Sequence, residues 1–204
     1  MKFQIIAGEL CLDFINTLDN RPVPERRQEL IQSYDDLLDW ATQAGALSAA
    51  QRVVLLRESE SHAKDAAAVR ARAVELRECL YRIMTAVARN RRVSADDLRD
   101  FNVYVGKALS HLELRPARKG FRMAWPENHP QLDSVWWPIV RSASDLLSGD
   151  DLGSVRECGD DTCRWLFVDR SKNHSRRWCD MRVCGNRIKA RKFYRRRQAI
   201  RAGV

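Results

Sequence analysis

Over the first 150 positions, apolar and polar residues follow the rhythm of helices, and three of the apolar runs are preceded by start signals. Ser33 with Asp36 stands before "LLDWATQAGAL", Ser48 with Gln51 before "VVLL", and Ser94 with Asp97 before "LRDFNVYVGKAL". Each pair resembles a capping box, in which the serine oxygen accepts a backbone N–H of the first turn and the side chain three residues on returns the bond. Gly45 has the position of a helix stop. From Val69 to Val87 the apolar residues Val69, Ala73, Leu76, Leu80, Ile83 and Val87 step by four and three, which keeps them on one face. This predicts the longest helix of the core.

Residues 112–125 break the rhythm. "LEL" and "FRMAW" alternate apolar with polar around "PARKG", so a β-hairpin is expected, turning near Pro116 and Gly120. A further helix is expected from about Asp133 to Ser148, ending at Gly149, with Trp136 and Trp137 in its first turns and Pro138 tolerated near its start. "SGDDLGS" at 148–154 is polar and contains glycine, which suits a linker. The fold class expected is mainly α with small β-hairpins. A helical domain would occupy residues 1–150, and a smaller C-terminal module 154–204.

Charge sharpens this division. The 204 residues carry a net charge of +9, but residues 1–151 hold 21 cationic and 22 anionic side chains, whereas residues 152–204 hold 15 and 5. The excess is confined to the last quarter, the footprint of a protein that binds a polyanion, of which nucleic acid is the commonest. No run of apolar residues is long enough to span a membrane, and "MKFQIIAGEL" lacks the pattern of a signal peptide. A cytoplasmic protein without a membrane partner is expected. In that compartment six cysteines do not make a disulfide framework, and clustered ones are metal ligands or catalytic groups.

Four of the six form two C-x4-C pairs separated by fifteen residues: Cys158 with Cys163, and Cys179 with Cys184. Two close pairs on separate turns can supply the four thiolate corners of a tetrahedral Zn²⁺ site. Metal would organise a segment too small for an apolar core of its own, contributing on the order of 10 kcal/mol. Between the pairs, "RWLFVD" and "SRRWC" have the content of two short strands joined by "RSKNH". The absence of Pro and Gly from Asn186 to Ala202 predicts a helix beginning near Cys184. Knuckle, hairpin, knuckle and helix make a treble-clef-like zinc module. Cys11 and Cys79, on apolar stretches, are expected in the core. A closed four-thiolate site leaves no position for water or substrate, so one structural zinc and no enzymatic activity are expected. The competing reading, a metal-dependent nuclease, would make His174 on the hairpin its general base.

On a helix over 185–201, Asn186, Ala190, Phe193 and, more loosely, Ile200 fall on one side, expected to pack on the hairpin. Lys189, Arg191, Lys192, Arg195 and Arg196 fall on the other. Neighbouring cations repel unless solvent or a polyanion intervenes. With Arg176, Arg177 and Arg182 on the approach, this face is expected to bind the phosphates of double-stranded DNA.

The tetrapeptide Cys184-Gly185-Asn186-Arg187, together with Cys158, Cys163 and Cys179, resembles the CGNR zinc finger of bacterial stress-induced transcription regulators. In that family an ABATE domain precedes the finger, and "GELCLDFINTL" at 8–18 and "YDDLLDWATQAGAL" at 34–47 resemble its opening segments. The resemblance implies a bacterial source, zinc, a mainly helical N-terminal domain and DNA binding. Within the motif, Gly185 would allow a tight turn beside the metal, and Asn186 would bond a thiolate or cap the helix. Arg187 would be a phosphate contact or a partner for Asp180 or the knuckle carbonyls. Asp13 and Asn16, three apart among apolar neighbours, form either a structural polar pair or part of a ligand site. The leading function is a transcription regulator whose helical domain senses a small-molecule effector or forms a homodimer. An RNA- or protein-interaction module scaffolded by zinc is the alternative, and the nuclease is third.

Overall fold

The computed structural model describes residues 3–126 and 131–201, with backbone alone for 199–201. Ile200, whose side chain was expected on the packing face, and residues 202–204 of the C-terminal module therefore lie outside the described side chains.

The start signals act largely as expected. Ser33 and Ser48 form reciprocal capping boxes with Asp36 and Gln51, opening α2 (Tyr34–Gln43) and α3 (Ala49–Ser61). Gly45, at φ +74°, ends α2. Its N–H reaches Thr42 O, and the next amide, of Ala46, reaches Ala41 O at 2.8 Å, the paired bonds of a Schellman stop. The third signal differs. Ser94 caps α5 (Ala95–Leu109) by accepting from the Asp96 amide, and Asp97 instead pairs with Arg82 at 2.7 Å on the preceding helix. A tertiary ion pair has taken the side chain that the local box would have used.

The longest helix, α4 (Ala63–Ala88), buries Val69, Ala73, Leu76, Leu80 and Ile83 as the four-three spacing requires. Antiparallel strands β3 (Glu113–Pro116) and β4 (Phe121–Ala124) form the expected hairpin, with Leu114 opposite Met123 and Gly120 at positive φ in the turn. A 3₁₀ turn over Leu132–Trp136 leads into α6 (Trp137–Ser148), where Pro138 sits in the first turn and costs no backbone bond. Gly149 ends α6 for want of room: a Cβ there would meet Asp145 O at 2.7 Å. A short β1–β2 pairing joins Leu18–Asp19 to Gln28–Glu29.

At the centre lies α1 (Leu10–Ile15), with Cys11 through Ile15 all buried. Around it pack α4, α6 and strand β6 (Leu166–Val168). Phe14 meets Trp40 of α2 with ring centroids 5.0 Å apart, and Trp136 and Trp137 are buried with them. Arg77 brings a charge into this interior. Its guanidinium bonds Glu29 at 2.6 and 2.7 Å, Glu78 at 3.0 Å and the Thr17 hydroxyl at 3.2 Å, as a buried charge must.

Residues 150–154 form a 3₁₀ turn rather than an open connection, and Asp151 within it accepts from Arg170 at 2.7 Å. The C-terminal module packs against the helices through one continuous apolar cluster that includes Val155, Leu166 and Phe167.

Candidate metal centre and cationic helix

The hairpin of the C-terminal module is not the one its sequence suggests. β6 pairs antiparallel with β5 (Val155–Glu157), which precedes the first cysteine, and 175–179 is not a strand. Two side chains explain the change. Val155 is buried beside Val168, giving β5 an apolar anchor. Asp169, also buried, gathers the chain after β6 into a turn: its carboxylate accepts from the Ser171 amide and hydroxyl and from the Arg176 amide, at 2.6–2.9 Å. Burial opposes charge on that carboxyl, but these bonds outweigh it and hold it below the ordinary carboxylate range.

The first knuckle is therefore the loop of the β5–β6 hairpin. Cys158 N–H donates to Trp165 O at 2.8 Å and closes the hairpin, and Cys163 N–H donates to Asp160 O at 2.8 Å and turns the loop. The second arm is tied alongside by Gly159 N–H, which donates to Arg177 O at 2.8 Å; a Cβ on Gly159 would stand 3.1 Å from that oxygen. Cys179 precedes, and Cys184 lies within, one wide turn of π-helix over Met181–Gly185. Asp180 caps this turn by accepting from Arg182 N–H at 2.6 Å, and Gly185 N–H closes it on Asp180 O at 3.1 Å. Gly185 does not turn sharply. It makes room, since a Cβ would lie 2.4 Å from the Met181 sulfur. The Asn186 amide does not reach a thiolate but donates to Arg182 O at 3.0 Å.

These turns bring the four cysteine sulfurs within 4.8 Å of one another, all of them buried. Cys163 and Cys179 are 3.6 Å apart, as are Cys179 and Cys184. A zinc tetrahedron with bonds of about 2.3 Å has edges of about 3.8 Å, so the donors fit one Zn²⁺ with little movement. Hydrogen bonds shared among the four sulfurs hold the Cys158 thiol below its ordinary range and push those of Cys163 and Cys179 above it, as close-packed thiols compete for one negative charge. The set takes one structural zinc, and four protein donors leave no open coordination position. Cys11 and Cys79 are buried elsewhere. Burial, chiefly, pushes their thiols up to about 12 and about 11.

The final helix, α7 (Asn186–Arg201), does not pack by the face expected. Phe193, assigned to the packing face, is 58% exposed, and Asn186 and Ala190 face solvent. Arg187 and Arg191 turn inward. Arg191 donates to Asp160 Oδ1 at 3.2 Å and to Thr162 Oγ1 at 3.0 Å; Arg187 donates to the same hydroxyl at 3.0 Å and approaches Asp160 Oδ2 at 3.4 Å. Asp160 is fully buried, and its Oδ1 also accepts from the Thr162 amide and hydroxyl. A buried carboxylate in the first knuckle attracts guanidinium groups more strongly than the hairpin attracts Phe193. Neither Asp180 nor a knuckle carbonyl is the partner of Arg187. The Asp-Asp-Thr sequence at 160–162 is a readable turn signal for this clamp, though its reach to α7 is not local.

The other cations divide in the same way. Arg176 spends its donors on the carbonyls of Trp178, at 3.0 Å, and of Cys179, and lies over the Phe167 ring at 4.4 Å. Arg177 is exposed beside Trp178, and Arg182 is exposed on the π turn. Lys189, Lys192, Arg195 and Arg196 are exposed, and among the described residues no carboxylate pairs with them. The module's five acids are committed elsewhere: Glu157 to Arg89 and Arg164, Asp161 to Arg164, Asp169 and Asp180 to turns, and Asp160 to the clamp. His174 sits in the left-handed region at φ +44° with Nδ1 3.0 Å from Asp169 O, a turn residue of the same loop.

Asp13 and Asn16 are both buried, but no bond joins them. Asp13 Oδ1 accepts from the amides of Ile6 and Ala7 at 2.8 and 2.9 Å, fastening the segment before α1. Asn16 faces the zinc module: its amide donates to Leu166 O at 2.9 Å, and its oxygen accepts from Leu166 N–H at 3.0 Å. Val168 N–H donates to Ala7 O at 2.8 Å, and Arg170 adds bonds to Gly8 O and Glu9. The opening motif and the finger thus share backbone pairing.

A helical body joined to a compact four-cysteine module that ends in a basic helix defines a zinc-finger protein. Family models divide the chain in the same order: the ABATE model, described as "Putative stress-induced transcription regulator", matches residues 8–150, and the CGNR zinc finger matches 154–197. The chain belongs to this ABATE family and carries its zinc finger at the C-terminal end. A search of curated proteins gave no match. No helix among the described residues is long and apolar enough to cross a membrane.

Proposed function

We propose that this chain is a transcription regulator of the bacterial cytoplasm that binds double-stranded DNA through α7, with zinc serving as scaffold rather than catalyst. The observation that carries the reading is the set Lys189, Lys192, Arg195 and Arg196, exposed and without a carboxylate partner among the described residues, on a helix held at its start by the cysteine cluster and the Asp160 clamp. Arg177 and Arg182 extend the cationic surface. Arg187 and Arg191 serve first to orient the helix, since their guanidinium groups already have partners. A cleft of about 720 Å³ between α4 and α5, lined by Tyr104 and Trp136, is of a size for a small effector and supports a sensing role for the helical part.

Mobility-shift titrations across a salt series test this reading. Each phosphate contact contributes about −0.9 to the slope of log K against log salt on duplex DNA. Lys192→Ala with Arg196→Ala should therefore flatten the slope by about 1.8 and leave zinc content unchanged. An unaltered slope would remove α7 from the interface.

A further inference from the structure

Phe193 and Tyr194 stand outside the buried core. They are 58% and 64% exposed, with ring centroids 5.9 Å apart and planes at 72°. Past Arg191 the helix leaves the finger, and residues 192–198 are all exposed. Two large rings left mostly in water form an apolar surface suited to contact in a complex.

Their neighbours select the partner. Phe193 lies one turn from Lys189 on one side and from Arg196 and Arg197 on the other, and the Arg197 guanidinium is 5.6 Å from its ring centroid. A second copy of this helix, set ring to ring, would oppose two identical sets of cations with no carboxylate between them. A nucleic acid strand instead offers phosphates to the cations and planar bases to the rings. Intact duplex keeps its bases stacked on one another, whereas a single strand or an opened stretch exposes their faces.

We infer that Phe193 and Tyr194 stack on the bases of a single-stranded stretch of nucleic acid whose phosphates run along Lys189, Lys192 and Arg196. The inference rests on the nucleic-acid reading above and adds that the target includes unpaired or locally opened bases.

The test uses the zinc-loaded full chain and fluorescence anisotropy. Its probes are labelled oligothymidylate, oligouridylate, an abasic strand of equal length and a DNA duplex, each across a salt series. Base–aromatic stacking predicts that the base-bearing strands bind tighter than the abasic one by about tenfold or more per engaged ring; the two base-bearing probes distinguish DNA from RNA. Phe193→Ala with Tyr194→Ala should abolish that preference without changing the salt slope, and so should Phe193→Leu with Tyr194→Leu, which keeps apolar bulk but no ring face. Among the described residues the rings meet each other and Arg197, all within α7, and an unchanged zinc content verifies the variants. Equal affinity of the wild-type chain for base-bearing and abasic strands, with a steep salt slope, overturns the stacking inference and leaves the phosphate reading intact. A preference that survives either double substitution overturns it as well. Absence of binding to every strand and to duplex removes both readings.

Discussion

Asn16→Ala tests how the zinc module is held to the helices. The Asn16 side chain acts as a backbone segment would, giving a hydrogen to Leu166 O and taking one from Leu166 N–H, at 2.9 and 3.0 Å. Leu166 is fully buried at the start of β6, so alanine at position 16 leaves one donor and one acceptor where water does not reach. Each orphaned group costs about 1–3 kcal/mol, so the substitution should destabilise the chain by about 2–6 kcal/mol in total. That is a large part of the 5–15 kcal/mol typical of a domain. Asn16→Leu should cost as much despite its better apolar match, because the penalty lies in the backbone of Leu166. Asn16→Asp keeps the acceptor but sets a carboxylate against Leu166 O, and should be worse at neutral pH than in mild acid. Urea unfolding of zinc-saturated protein measures the loss, and amide exchange at Leu166 localises it. Unfolding free energies within about 0.5 kcal/mol of wild type, which is the scale of inert surface changes, with unchanged protection at Leu166, would refute the account.

The remaining predictions concern protons and metal. Burial, partly offset by the Ala7 and Ile6 amides, raises the Asp13 carboxyl to about 6, whereas in the unfolded chain it titrates near ~3.9. The folded state holds the proton more tightly, so the stability from this site is full in acid and is lost as pH rises through about 6. Both amides bond the same oxygen, so Asp13→Asn can keep them and should flatten the pH dependence of unfolding between about 4 and 6; an unchanged profile would contradict the assignment. Metal analysis should find about one zinc per chain, falling toward zero in Cys163→Ser. In the native chain Cys11 and Cys79 should resist thiol reagents, and chelation should expose the four cysteines of the cluster to them. Rapid reaction of all six before chelation would argue against a bound metal.

Local chemistry made much of this chain legible in sequence. Capping boxes, the Schellman glycine, the four-three apolar spacing of α4 and the paired cysteines each depend on residues close along the chain, or on a metal's fixed demand for four donors. Charge could be localised to the last quarter by counting alone. The partner of each charge could not, because pairing is a competition decided by proximity in space. Asp97 went to Arg82 instead of its own cap, and Asp160 drew Arg187 and Arg191 inward and so rotated α7, turning Phe193 out. The finger's strand pairing changed for a related reason: a buried Val155 and the Asp169 turn outweighed the β content of the segment before Cys179. Asn16 was visible as a buried polar residue, but its partner lies 150 positions away. Sequence thus determined which groups must be satisfied and that four thiols converge, while the tertiary structure decided with whom each is satisfied, since desolvation acts on whichever groups packing brings together.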